Sequence, residues 1–164
     1  MPNLAELNEL DREAFTRVVG PVFERSPWIA ERTWPNRPFA STQELHRAMC
    51  RIVQAAKLDE KLSLIRAHPD LVTRAVLTRE SQSEQASAGL EALSEDDARK
   101  FQEYNAQYRE RFGFPFVICA RLNNKEAILR AFPERLQNSA AREIETALAE
   151  IFKIAELRLQ DLIR

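Results

Sequence analysis

Residues 94–119 read SEDDARKFQEYNAQYRERFGFPFVIC and predict a long helix followed by an extended apolar segment. Ser94 and Asp97 have the spacing of an N-terminal helix cap, and Gly113 can end the helix in the left-handed conformation. Pro115 then excludes a regular helix through the apolar residues that follow it. The predicted helix carries aromatic residues on one stripe: Phe101, Tyr104, Tyr108 and Phe112.

The rest of the chain also favours helix. Alanine, leucine, glutamate and arginine dominate the composition, and all four are good helix formers. Hairpin turns depend on glycine or Asn-Gly pairs, whereas the chain has only three glycines and no such pair. We therefore predict an all-α fold, formed as a single compact multi-helix domain over residues 1–164.

Three shorter patterns predict where other helices begin. Ser41-x-x-Glu44 is a capping box, and the apolar face of the helix after it comprises Leu45, Ala48, Met49, Ile52, Val53 and Ala56. Asp59 can cap a short helix that carries Leu62 and Ile65 and ends near His68-Pro69. Ser81-x-x-Glu84 fits a second capping box.

The two ends of the chain differ in pattern. Residues 139–163 predict a long last helix, and its inward residues are Ile144, Leu148, Ile151, Ala155 and Leu162. Residues 21–40 contain four prolines among aromatic residues and predict broken, short helices around the core.

Composition excludes several classes of protein. The net charge of −1 over 164 residues offers no basic excess for nucleic acid. No apolar run approaches the roughly 20 residues of a membrane span, and the first residues lack the layout of a signal peptide. Two cysteines, Cys50 and Cys119, have no spacing typical of a disulfide framework or a metal site. We therefore expect a cytoplasmic protein without a metal.

Two side chains suggest acid–base chemistry. His68 has the residue type whose ordinary pKa suits proton transfer near neutral pH, although a histidine at a helix C-terminus can simply meet the helix dipole. Glu84 can orient such an imidazole, or it can reach back to the backbone as part of a cap. Ser81 and Gln85 are then either cap and exposed amide or neutral hydrogen-bonding groups beside the pair. The other histidine, His46, is expected at the surface.

The extended segment, residues 114–120, has two possible roles. It is either a buried crossover or a pocket wall whose backbone N–H groups bind a polar ligand. Cys119 is expected to be a small wall residue and not a nucleophile, because no histidine that could activate it lies nearby in sequence. Arg121 can pair with a substrate carboxylate or be a solvated charge.

Three segments in this order resemble the family of 2-oxo-4-hydroxy-4-carboxy-5-ureidoimidazoline (OHCU) decarboxylases of urate breakdown. They are the HPDL tetrapeptide at 68–71, SQSEQASAGL at 81–90, and the aromatic helix that runs into RFGFPF, within 101–119. The likeness extends to FERSPW at 23–28, RPF at 37–39, KIA at 153–155 and RL at 158–159. It therefore spans nearly the whole chain.

The resemblance implies an all-α homodimer without cofactor that releases CO2 and forms (S)-allantoin. It assigns His68 as the catalytic histidine and Glu84 as its partner carboxylate. Our hypothesis is that His68 is the acid–base group, which protonates the carbanionic carbon and so sets the stereochemistry. It also implies functional coupling to a hydroxyisourate hydrolase. The substrate contacts that it implies are Pro69, Ser81, Gln82, Ser83, Glu84, Gln85, Phe116, Val117, Ile118, Cys119 and Ala120, with Arg121 a further candidate.

Three other interpretations remain open. His-Pro-Asp is also the signature of J-domain co-chaperones, but residues 51–67 lack the strongly basic helix that precedes it there. A helical interaction protein would use the same residues only as caps and core. A related enzyme would act on another ureido or imidazolone acid.

Overall fold

The computed structural model describes residues 1–73 and 77–164, and within them every regular element is helical. This confirms the all-α prediction. None of the helices in these residues is both long enough and apolar enough to cross a bilayer. The α-helices are α1 (Leu4–Glu9), α2 (Arg12–Val19), α3 (Trp28–Thr33), α4 (Thr42–Gln54), α5 (Leu58–Arg66), α6 (Arg79–Ser87), α7 (Glu95–Phe112), α8 (Lys125–Leu136) and α9 (Ala140–Leu162).

Contacts divide the chain into two compact units. The first comprises residues 1–67 and 152–164, and the second comprises residues 68–151. In the first unit α3 packs against α2 and α4. Short 3-10 helices at Gly20–Val22 and Trp34–Asn36 interrupt the chain there, which confirms the broken helices predicted for 21–40.

The first unit holds a buried ion pair. Arg158 donates from Nη2 to the Glu24 carboxylate at 2.8 Å and from Nη1 to the Pro21 carbonyl at 3.0 Å. Both charged side chains are almost fully buried. The guanidinium therefore satisfies a buried carboxylate and, in addition, a turn carbonyl.

The second unit is built around α7. Its N-terminal cap is Ser94, whose Oγ accepts from the Asp97 N–H at 3.1 Å, and Gly113 ends it with φ of +77°. Both features confirm the prediction. Phe101 and Tyr108 of the predicted stripe are fully buried, and α8 packs against α7.

The first capping box and the last helix are also close to prediction. Ser41 Oγ accepts from the Glu44 N–H at 3.0 Å, although the Glu44 carboxylate reaches back to Ala40 N and not to Ser41 N. The last helix begins and ends within one residue of the predicted bounds 139–163.

Two predicted caps are wrong. The N-cap of α5 is Lys57 and not Asp59, because the Glu60 carboxylate accepts from the Lys57 N–H at 3.2 Å. The N-cap of α6 is Thr78, whose Oγ1 accepts from the Ser81 N–H at 3.2 Å. The helix therefore begins at Arg79, one turn earlier than the Ser81-x-x-Glu84 pattern predicts.

His46 is half-buried, so its predicted place on the surface is also wrong. Its ring Nε2 lies 2.8 Å from the Phe152 carbonyl oxygen and 3.5 Å from Cys50 Sγ. Because a carbonyl only accepts, Nε2 carries the proton in this contact. His46 also lines an open cavity of about 220 Å³ in the first unit, together with Glu156 and Gln160.

A buried network in the second unit centres on Glu143, whose side chain is inaccessible to solvent. Its carboxylate accepts from Arg135 Nε at 2.7 Å, from the Tyr108 hydroxyl at 2.6 Å and from Asn138 Nδ2 at 2.8 Å. Burial raises the pKa of the Tyr108 phenol well above its usual value, so it stays a hydrogen-bond donor. Three donors thus compensate one buried negative charge.

Arg135→Met is expected to destabilise the protein by about 3 kcal/mol, because it leaves the buried Glu143 carboxylate without its cation. Urea unfolding monitored by circular dichroism measures this change. Arg99→Met is the control, since Arg99 forms an exposed ion pair with Asp96 and should cost less than about 0.5 kcal/mol. Equal losses in the two variants would contradict the importance of the buried network.

Candidate active site

His68 begins a short loop directly after α5. The C-cap of α5 is Ala67, and the next residue, His68, is only 7% exposed. Pro69 follows it and is half-buried. The histidine proposed from sequence is therefore a buried group at the start of the second unit, where it is largely shielded from water.

The three residues after Pro69 are each held by a side chain of the second unit. Arg109 Nε donates to both Asp70 carboxylate oxygens at 3.0 and 3.1 Å. Asn105 Nδ2 donates to the Leu71 carbonyl at 2.9 Å, and the Val72 N–H donates to Gln85 Oε1 at 3.2 Å. The loop is thereby tied to both α7 and α6.

Helix α6 presents the predicted SQSEQ residues in a way that the sequence did not anticipate. Ser81 and Gln85 are buried, at 6% and 8% exposed, Glu84 is half-buried, and Gln82 and Ser83 are exposed. Because Thr78 is the N-cap, Glu84 lies inside the helix and does not cap it. The capping interpretation of Ser81 and Glu84 is thus wrong, as is the exposed amide proposed for Gln85.

The segment after Gly113 is buried from Phe114 to Ala120, and helix resumes only in the 3-10 turn at Ala120–Leu122. The Phe116 ring stacks on Phe132 with 3.8 Å between centroids. Arg135 Nη1 donates to the Val117 carbonyl at 2.6 Å. The extended, buried character predicted for this segment is confirmed, and an aromatic ring and a buried cation hold it in place.

Cys119 is held through both of its backbone groups. Its N–H donates to Glu150 Oε1 at 3.2 Å, and its carbonyl accepts from Asn123 Nδ2 at 2.9 Å. Burial raises the pKa of the Cys119 thiol, and the charges of Glu150 and Glu84 raise it further. This agrees with its expected role as a wall residue, because a protonated thiol is a poor nucleophile.

Three consecutive N–H groups of the segment differ from that of Cys119. Within residues 1–73 and 77–164, the backbone N–H groups of Phe116, Val117 and Ile118 make no hydrogen bond. All three residues are at most 9% exposed. Buried backbone donors ordinarily have a partner, so this row of donors is available to a polar ligand.

The second unit brings the predicted segments together. Helix α6 packs against the 3-10 turn at Ala120–Leu122, and the charge of Glu84 acts on Cys119. Gln85, the next residue, holds the loop that begins at His68. Arg121 follows the extended segment and is exposed.

Sequence reasoning missed the polar residues that hold these segments. Asn105 and Glu150 are buried or half-buried on helices α7 and α9, and Arg109 lies one turn beyond Asn105. Asn105 did carry a signal, because it is a polar residue on the apolar side of α7, four residues after Phe101. Among the described residues, no group of three or more His, Cys, Asp or Glu side chains could hold a metal ion.

Comparison with known proteins places this chain in a family. A profile described as OHCU decarboxylase matches residues 8–160. The OHCU decarboxylase of Haloferax volcanii is 46% identical over 158 residues, covering 96% of this chain and 94% of that protein. A uric acid degradation bifunctional protein from Bacillus sp. (strain TB-90) is 44% identical over 164 residues, covering all of this chain and 33% of that protein.

A solved structure agrees with the sequence relatives. The crystal structure of (S)-allantoin synthase superposes with a TM-score of 0.83 at 27% identity. The match covers all of this chain, which spans about half (54%) of the length of that one.

The fold and the matched sequence define a decarboxylase, that is, a carboxy-lyase. The chain belongs to the OHCU decarboxylase family. The J-domain interpretation of His68-Pro69-Asp70 is accordingly set aside.

Both cysteine thiols are free and buried, and we expect them to react slowly. Burial raises the pKa of Cys50 to about 12, so only about 10⁻⁴ of it is thiolate at pH 8, against roughly a quarter of an ordinary cysteine. A disulfide reagent at pH 8 should therefore modify the folded protein at least ~10²-fold more slowly than the urea-unfolded chain. The rate should rise steadily with pH. A thiol in the folded protein that reacts as fast as free cysteine would contradict this account.

Proposed function

We propose that the protein converts OHCU into (S)-allantoin in urate breakdown, without a cofactor. Two contacts in the second unit carry the proposal, in a chain that matches the family over residues 8–160. Gln85 of α6 holds the loop that begins at His68, and α6 packs against the 3-10 turn that ends the extended segment. The names of two matched proteins, one in uric acid degradation and one an (S)-allantoin synthase, support this substrate and product.

The substrate carries its own electron sink. The bond between the ring carbon and its carboxylate breaks and CO2 leaves. The electron pair passes through the adjacent C=N bond to the ring nitrogen, which takes up a proton. A proton then adds at the carbon that bears the ureido group, and loss of the hydroxyl proton forms the ring carbonyl of allantoin. The enzyme must bind one conformer, stabilise the developing charge and deliver a proton to one face.

His68 is the acid–base group in this proposal. A positioned imidazole delivers the proton to one face and so sets the configuration of the product. Such proton transfer contributes about 10²–10⁴-fold to the rate. The burial of His68 supports the assignment, because a shielded acid competes better with solvent for protonation of the intermediate.

Glu84 is the partner carboxylate, which orients the imidazole or holds the substrate hydroxyl. Its position inside α6 supports a role beyond capping, since Thr78 already caps that helix. Its charge also acts on Cys119, so the carboxylate lies close to the extended segment.

The N–H groups of residues 116–118 stabilise the developing charge, whereas that of Cys119 already donates to Glu150. Removing one such preorganised donor typically costs about 3–4 kcal/mol of transition-state stabilisation. The N–H groups of Phe116, Val117 and Ile118 support this role, because they find no acceptor among the described residues. The proposed substrate contacts are Pro69, Ser81, Gln82, Ser83, Gln85, Cys119, Ala120 and Arg121.

Three wider features belong to the same proposal. The enzyme is a homodimer, as the family resemblance implies, and it works in the cytoplasm, which suits its free, buried thiols. It is coupled to the hydroxyisourate hydrolase that forms its labile substrate. The likeness to a bifunctional protein of uric acid degradation supports coupling to another step of that breakdown.

The coupled reaction tests the proposal. Urate oxidase and hydroxyisourate hydrolase generate OHCU in place, and circular dichroism follows the product after this protein is added. We expect the (S)-allantoin signal to grow well ahead of the slow racemic background. An unchanged, signal-free decay with folded protein present would contradict the proposal and favour a related ureido or imidazolone acid as substrate.

His68→Asn is expected to abolish stereospecific turnover while the protein stays folded, because it removes the proton donor. The chain has one other histidine, so His46→Asn is a matched control that should keep wild-type turnover. Initial rates and enantiomeric excess measure both variants. Near-wild-type rates for His68→Asn would refute the assignment, and loss of folding without any ligand effect would favour a structural role.

A further inference from the structure

Three side chains bind three successive residues close to the proposed catalytic histidine, two of them through the backbone. Arg109 binds the side chain of Asp70, Asn105 binds the carbonyl of Leu71, and Gln85 binds the N–H of Val72. Asn105 and Arg109 are four residues apart on α7 and so share one face. The loop is thus held from two helices within two to four residues of His68.

The loop has a conformation that needs such support. Val72 has φ of +56°, in the left-handed region. A β-branched residue rarely adopts this conformation, which persists only where the surroundings over-determine it. The hydrogen bonds to the Leu71 carbonyl and from the Val72 N–H fix both ends of the peptide group that leads into the strained residue.

Of the three contacts, the hydrogen bond from Asn105 to the Leu71 carbonyl is best shielded from water. Asn105 is 7% exposed and its contact with Leu71 is buried. In contrast, the Arg109 side chain is 48% exposed and that of Asp70 is 28% exposed. Exposed ion pairs contribute little, so the Asp70–Arg109 pair is the weaker constraint.

The burial of Asn105 also costs folding free energy. Its Oδ1 is buried and has no hydrogen-bond partner in the described part of the chain. A leucine of similar size would remove that unsatisfied oxygen, since burying an unpaired polar atom is unfavourable. What the amide offers and leucine does not is the hydrogen bond to the Leu71 carbonyl.

We propose that Asn105 is a positioning residue for the reaction: by holding Leu71, with Gln85 and Arg109 as supports, it fixes the imidazole of His68 on one face of the substrate. This rests on the proposed function. Asn105 touches neither the substrate nor His68 in this account and acts through the loop.

Asn105→Leu tests the proposal in the coupled circular-dichroism assay. We expect kcat to fall by about 10²-fold, as for an acid displaced by about 1 Å, while KM changes less than about threefold. The enantiomeric excess of allantoin should fall, because a loosely held imidazole no longer outcompetes solvent for one face. The thermal unfolding midpoint should stay within a few degrees of wild type.

Arg99→Leu is the matched control, because Arg99 lies on the same helix but its ion pair with Asp96 is remote in sequence from the loop. It should keep the wild-type kcat and enantiomeric excess. The proposal would be overturned if Asn105→Leu kept the wild-type kcat and enantiomeric excess. It would also be overturned if kcat fell only in proportion to a loss of folded protein. If wild-type protein itself gives no turnover, the proposed function fails, which is a different result.

A second readout needs no substrate. The chain has two histidines, so His46→Gln assigns the two imidazole signals in proton–nitrogen spectra. In Asn105→Leu the His68 signal should shift and broaden, while in Arg99→Leu it should not. A His68 signal in Asn105→Leu that matches wild type would overturn the positioning role whatever the substrate is.

Discussion

Residues 114–119 are extended and buried in a helical unit, so their backbone groups need partners that no strand of the described residues provides. Arg135 meets part of this requirement through the Val117 carbonyl, and Glu150 meets another through the Cys119 N–H. Arg135 is in turn held by Glu143, which is why a fully buried ion pair lies beside this segment. Neither side chain accepts a hydrogen bond from the N–H groups of residues 116–118.

Side chains likewise provide hydrogen-bond partners for the backbone of the loop after His68. A backbone that leaves regular structure at Ala67 and passes through a left-handed valine gains its order from side chains of α6 and α7. The second unit thus combines two irregular segments, each fixed by polar side chains on helices. Catalytic groups on irregular segments need such support, because small displacements cost much of the rate.

Much of the fold follows from local sequence. Ser94, Gly113 and the aromatic spacing of α7 predicted that helix correctly, because caps and periodicity act over a few residues. The predicted start of α6 was wrong, since Thr78 and Ser81 both suit a cap and the burial of Ser81 and Gln85 in the folded unit decides between them. Lys57 was missed as the start of α5 because its side chain has no oxygen to accept a hydrogen bond.

The candidate site could be predicted in part. His68, helix α6 and the extended segment were identified from sequence and resemblance, whereas the residues that hold them were not. Asn105, Arg109 and Glu150 act across 31 to 39 positions of sequence, and no local pattern encodes such pairings. Among them only Asn105 carries a signal in the sequence, as a polar residue on the aromatic side of α7.

The convergence of three segments into one site is tested most directly by titrating (S)-allantoin into nitrogen-15-labelled protein and following the backbone amide signals. The account predicts shifts at His68, at Ser81–Gln85 and at Phe116–Arg121, with much smaller changes elsewhere. Shifts confined to the cavity beside His46 and Gln160, or to only one of the three segments, would contradict it.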